Sequence, residues 1–317
     1  MINFAEVAER ERNLPPDDQD GDAPSDNTPS PSGGSFPSQA VGRVERSFAE
    51  PSPYKLPIPS PAPLKDFLAI EDTGGFRPPD THGAVGHDFL MAAMNNRVRV
   101  QSRTGDHPLT VRLKGFWSYK FEGIVNVFAP RVIYDHDKRR WIFIAAANRP
   151  DARYPLLNSA ILIGVSRFSD PRGDWVCSLI DPDPENEQNK VWADFPTIGF
   201  NNDWVVAQTK ILRTNDNSFV RSQIYVFNKT KLYEDRYAGE DGVMKRFDDP
   251  DGDWVPAITY GQNNPDAPQD PNLNKLYLVR TESANNQGRG RLLIKWIGGA
   301  VGAETLSPET IVAQSPE

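Results

Sequence analysis

Three segments of this chain repeat one pattern, in which a proline-led apolar strand runs through a polar loop into a second apolar strand. Ala129-Pro130-Arg131-Val132-Ile133-Tyr134 leads through residues 135–140 to a strand at Trp141. Asp194-Phe195-Pro196-Thr197-Ile198-Gly199-Phe200 leads through Asn201-Asn202-Asp203 to a strand at Trp204, and Trp254-Val255-Pro256-Ala257-Ile258 leads through a longer loop to a strand at Lys275. Pro130, Pro196 and Pro256 stand 66 and then 60 residues apart. A unit of that length has room for four short antiparallel strands, the blade of a β-propeller. Proline is expected at the first residue of such a strand, where no ladder donor is needed.

The texture between the repeats agrees with this. Residues 88–94, 98–100, 160–165, 223–227 and 291–296 are short apolar runs bounded by turn residues, the pattern of strands rather than helices. The 29 prolines and 23 glycines of the 317 residues interrupt the chain too often for a helical bundle. The fold expected is therefore all-β, a propeller of four-stranded antiparallel blades. About four blades are legible in this chain, and whether they close a ring is left open.

Organisation changes near residue 64. Twelve of the prolines fall in residues 1–64, among Ser, Gly, Asp and Asn, and such a segment buries too little apolar surface to offset its chain entropy. Residues 1–64 thus read as an extended or disordered N-terminal arm, 65–303 as the propeller body and 304–317 as a tail. Phe4, Val7 and Ala8 have helical spacing, which offers a short amphipathic helix for docking on a partner as an alternative to a frayed terminus. The opening residues lack the basic and apolar regions of a secretory signal, and no apolar run is long enough to span a membrane. Localisation stays open. The formal net charge of -8 argues against a nucleic-acid footprint. A lone cysteine, Cys177, has no internal disulfide partner.

A second repeat punctuates the blades. Asp170-Pro171-Arg172-Gly173-Asp174-Trp175 and Asp249-Pro250-Asp251-Gly252-Asp253-Trp254 share a turn in which aspartate accepts from the backbone, proline presets φ and glycine takes a positive φ. Its carboxylates are too few for calcium. Residues 78–88 (Pro-Pro-Asp-Thr-His-Gly-Ala-Val-Gly-His-Asp), 129–135 with Arg140-Trp141, and 192–199 (Trp-Ala-Asp-Phe-Pro-Thr-Ile-Gly) resemble a widespread group of poorly characterised bacterial β-propeller proteins. The Asp170 turn is also loosely similar to the Asp-box of sialidase-like propellers. The resemblance implies a fold and no activity. In that group the strand led by Pro130 is commonly preceded by aspartate, whereas this chain has Ala129.

Glycoside cleavage needs two carboxylates facing one sugar bond. Asp80 and Asp194 precede the first strands of two units and are the candidate catalytic pair at the axial mouth. Trp117, Trp192 and Tyr260 fall at expected loop edges, where a ring can stack on a sugar or a partner side chain, and His82 is a further binding candidate. The four histidines lack metal-ligand spacing, and the serines lie near no nucleophile elbow. No metal and no cofactor are expected. The residues alone favour a non-catalytic assembly module that engages a protein partner, or a second copy, through its faces and N-terminal arm. The alternative is a carbohydrate-binding or glycoside-cleaving propeller.

Overall fold

The computed structural model describes residues 1–14, 62–63, 65–71, 76–150, 158–184, 191–250, 252–259, 275–282 and 290–314. Four antiparallel sheets follow one another along the chain. The first holds β2 (His82–Val85), β3 (Phe89–Ala93), β4 (Arg97–Ser102) and β5 (Leu109–Arg112); the second holds β6 (Val127–Asp135), β7 (Arg140–Ala147), β8 (Ala160–Ser166) and β9 (Asp174–Ile180). The third comprises β10 (Val191–Phe200), β11 (Trp204–Arg213), β12 (Phe219–Asn228) and β13 (Met244–Asp249). The fourth comprises β14 (Val255–Pro256), β15 (Leu276–Glu282) and β16 (Arg291–Gly298), with β17 (Thr305–Leu306) and β18 (Thr310–Gln314) both pairing on β16.

Each sheet is a meander whose first strand packs on the first strand of the next: β2 against β6, β6 against β10, and β10 against β14. Innermost strands side by side around a common axis are the arrangement of propeller blades. The cause is visible in side-chain alternation. On β7, Trp141, Phe143, Ala145 and Ala147 enter the apolar seam shared with the first sheet, while Ile142, Ile144 and Ala146 enter the seam shared with the third. Successive strand residues point to opposite faces, so an unbroken apolar run is what a strand covered on both sides requires. A third seam, built on Trp204, Val206, Trp254 and Leu278, joins the third and fourth sheets. At Gly199 the backbones come so close that an added Cβ would lie 2.3 Å from the Ala257 carbonyl oxygen.

The N-terminus departs from the expected arm. Ile2–Asn3 forms β1, which pairs with β9 and extends the second sheet to five strands, covering its edge. Residues Phe4–Arg12 then form helix α1, capped by the Asn3 side chain, which accepts from the Glu6 N–H at 3.1 Å. Phe4, Val7 and Ala8 are buried in this chain's own first seam, with the Phe4 ring 5.8 Å from Phe116. The helical spacing therefore reports packing within the chain. The Asp170 turn anchors it: Gly173 and Arg172 carbonyls accept from the Phe4 and Ala5 N–H groups, and Asp170 Oδ1 accepts from the Arg172 N–H at 2.9 Å. That turn is structural, although Gly252 takes a positive φ and Gly173 does not. The remainder of the expected arm, residues 15–61, lies outside the described residues. Among the described residues no helix is long and apolar enough to cross a membrane.

Replacing Phe4 with alanine removes a fully buried ring from the seam beside Phe116. The expected cost is about 3–5 kcal/mol, read as a lower midpoint in chemical denaturation followed by tryptophan fluorescence; an unchanged midpoint would show that the N-terminus does not dock.

Candidate functional site

The prolines that mark the repeat do not begin their strands. Ala129-Pro130 interrupts the β6–β7 register between Phe128 and Arg131, and Phe195-Pro196 interrupts β10–β11 between Asp194 and Thr197. Both pairs lie in β-bulges, where an unpaired residue re-aims its neighbours and a missing N–H is tolerated. Ala129 and Phe195 take the left-handed conformation, with φ 50° and 48°, and Asp80 takes the same conformation, at φ 49°, ahead of β2. Non-glycine residues cost on the order of 1–2 kcal/mol there; one such residue precedes the first innermost strand, and the other two sit in the bulges of the next two. Strain of this kind gathers at functional sites.

These bends bring Asp80, Arg131 and Asp194 together from the first, second and third sheets. Asn95, buried after β3, holds the first of them. Its Nδ2 donates to Asp80 Oδ2 at 2.9 Å and to the Pro78 carbonyl at 2.9 Å, while its Oδ1 accepts from the Ala129 N–H at 2.7 Å. One amide side chain thus ties the Asp80 carboxylate to the bulge of the next sheet. Ala129, where the resembled group commonly has aspartate, supplies only its backbone.

Asp194 is half-buried. Burial pushes its carboxyl above the usual carboxylate range; the Phe195 N–H, Arg149 and Lys210 oppose that shift, and the nearby Asp80 adds to it. Asp194 Oδ1 accepts from the Phe195 N–H at 2.7 Å, and the Thr209 hydroxyl donates to the Asp194 carbonyl at 2.6 Å. Arg131 lies within the fields of both Asp80 and Asp194, which partly offset the effect of its burial. Its Nη1 donates to the Pro130 carbonyl at 2.9 Å, and its guanidinium sits 4.8 Å from the centre of the Phe195 ring. Lys210 approaches the same ring at 5.2 Å and is paired with Asp253 at 2.6 Å.

His82 also reaches this cluster. Its Nδ1 accepts from the Val132 N–H at 3.2 Å, which leaves Nε2 as the protonated nitrogen of the neutral ring. Burial, and then Arg131, push its pKa down, with the Val132 contact opposing. His82 is therefore neutral at pH 7. Among the described residues no group of three or more His, Cys, Asp or Glu side chains is placed to hold a metal.

The aromatic candidates fare differently. Trp117 is completely buried: it lies in helix α2 (Leu113–Ser118) and stacks on Phe143 at 5.2 Å in the first seam. Trp192 is 2% exposed and paired within the sheet opposite Leu212. Phe128 flanks it at 5.9 Å and Arg149 covers it at 4.6 Å. Neither ring is open to a sugar or a partner, because each falls inside an element where a loop was expected. Tyr260 lies outside the described residues. The exposed ring at the mouth is Phe195, at 42%, which the sequence reading passed over along with Asn95 and Arg131. The repeat itself held the signal for two of them, since Phe195 precedes one repeat proline and Arg131 follows another.

No protein-family model matches the chain, and no curated protein matches it. Among solved structures, it is similar to an exo-β-1,3-galactanase from Phanerochaete chrysosporium, with TM-score 0.36 and 11% identity over 77% of this chain and 53% of that one. It is similar to an α-L-arabinofuranosidase from Lactobacillus brevis, with TM-score 0.38 and 13% identity over 74% of this chain and 73% of that one. An α-L-arabinanase from Cellvibrio cellulosa gives TM-score 0.35 and 12% identity over 71% and 72%. The chain spans about half the length of the galactanase. These are likenesses of fold.

The expectation of a non-catalytic assembly module is corrected here. The solved structures similar to the chain are, by their descriptions, enzymes acting on glycans. The N-terminal helix, offered as one alternative for docking on a partner, is occupied within this chain's own first seam, and the charged groups of three sheets converge at the mouth.

A carboxyl whose pKa is higher in the folded state than in the unfolded chain weakens folding as pH rises through the interval between the two values. Below about pH 4 both states are protonated and the penalty is absent. Asp194→Asn, which keeps an oxygen for the Phe195 N–H, is therefore expected to raise the thermal midpoint at pH 7. The gain should vanish toward pH 3.5 in paired melting curves; a loss of stability at pH 7 would contradict the raised pKa.

Proposed function

We propose that this chain is a carbohydrate-active propeller that binds and cleaves a glycoside at the mouth formed by Asp80, Arg131 and Asp194. The observation that carries the reading is the convergence of two carboxyls from different sheets, one of them with a pKa raised by burial. Glycosidic cleavage divides its work between a protonated carboxyl and an ionised one, and differing environments are what separate two such groups.

In this reading Asp194 is the general acid. Its raised pKa keeps a proton available for the glycosidic oxygen as the bond to the leaving group breaks. Asp80 is the carboxylate on the other side of the bond, acting as base toward water or as nucleophile toward the anomeric carbon. Asn95 is its positioning residue: the Nδ2–H donated to Oδ2 fixes the carboxylate, and the Oδ1 contact with Ala129 fixes the amide. Neutral His82 offers an Nε2–H donor for a sugar hydroxyl, and Phe195 offers an apolar face for a sugar ring. The glycan-cleaving enzymes of similar fold are consistent with this reading and do not choose its substrate.

Sugar release from a panel of arabinose- and galactose-based oligosaccharides tests the proposal. Asp80→Asn and Asp194→Asn should each lower the rate by about 10²–10⁴-fold while the thermal transition stays cooperative. Cleavage that survives both substitutions would overturn the assignment, as would binding and cleavage absent across the panel.

A further inference from the structure

Resting on the reading just given, the identity of the third converging residue narrows the substrate. Arg131 is half-buried on the bulged β6 strand, within the fields of the Asp80 and Asp194 carboxyls of the two neighbouring sheets. Its hydrogen bond to the Pro130 carbonyl uses one of five N–H donors. Its guanidinium carbon lies 4.8 Å from the centre of the Phe195 ring. Among the described residues, no carboxylate stands within ion-pair distance of it, although Lys210, Arg172 and Arg280 each have one. Partial burial of a permanently charged group without a paired anion is unfavourable. An arginine held in that state at a ligand mouth, its fork not closed on any protein carboxylate, is suited to an incoming anion.

The neighbouring Phe195 ring, 42% exposed, gives a sugar bound there an apolar face to lie on.

We propose that the site takes an acidic glycan, one carrying a carboxylate or a sulfate on the sugar bound at the mouth, and that Arg131 grips this anionic group through its guanidinium fork. The chemistry shared by the two substituents is an anion with paired oxygens, and Arg131 is the residue that sets the preference.

Calorimetric titration of the full chain with three matched trisaccharides tests this. One is built of galactose, one of galacturonic acid and one of 6-sulfated galactose. The quantity read is the ratio of acidic to neutral affinity. In the wild type this ratio should be about 10–100, the range expected for a hydrogen bond to a charged group, and should fall as salt is raised. In Arg131→Gln it should collapse to near one. In Arg131→Lys, which keeps the charge but not the fork, it should recover partly. Whichever acidic ligand is preferred identifies the source of the anion. A neutral ligand that binds as tightly as both acidic ones, or a preference that survives Arg131→Gln, overturns this proposal and leaves the glycan reading standing. Failure of all three ligands to bind, with a normal thermal melt, overturns both.

Discussion

The seams between the sheets are the constraint on which everything else in this molecule depends. Each inner sheet must be apolar on both faces, because both are covered. β7 shows the consequence, with alternate residues entering opposite seams. A one-residue slip would exchange the two sets and place Trp141 and Phe143 where the isoleucines fit. Packing thereby fixes the rotation of each blade about its strand axis. It also fixes which residues at the ends of β2, β6 and β10 face one another.

Polar clasps reinforce the seams from within. Lys229 is buried with Asp135 at 2.6 Å and donates to the Asn201 carbonyl at 2.7 Å, while Tyr233 donates to the same carboxylate at 3.0 Å. Burial lowers the lysine's pKa, and the hydrogen bond and charge of Asp135 oppose that shift. Lys295 is likewise paired with buried Asp249 beneath Trp254. Such pairs contribute little net stability relative to apolar replacements, yet breaking one partner leaves a stranded charge. The first clasp joins the second and third sheets, and the second joins the third and fourth. Together with Asn95 between the first and second, each neighbouring pair of sheets is tied by a polar link.

Much of the fold was legible because blade architecture writes itself as repetition. Pro130, Pro196 and Pro256 mark equivalent strands, the Asp170 turn is structural as expected, and the apolar runs correspond to strands. The bulges were not legible. A proline reads as a strand beginning, and only the ladder shows that Phe128 and Asp194 pair before it. The tryptophans misled for a similar reason: Trp117 and Trp192 have polar residues within two positions in sequence (Ser118, and Lys190 and Asp194), yet α2 and β10 carry both inward. Asp80 and Asp194 were legible as a candidate pair, and His82 as a separate binding candidate. Their convergence, and the roles of Asn95 and Arg131, depend on contacts across 15 to 50 residues that local pattern does not encode.

The claim beneath the functional account is that Asp80 and Asp194 share one site, although they lie on different sheets. Carbon-detected NMR titration of the Asp194 carboxyl, in the wild type and in Asp80→Asn, measures this directly. The account predicts a wild-type pKa above the ordinary aspartate range and a small downward shift once the Asp80 charge is removed. An Asp194 titration indifferent to Asp80 would contradict the shared site.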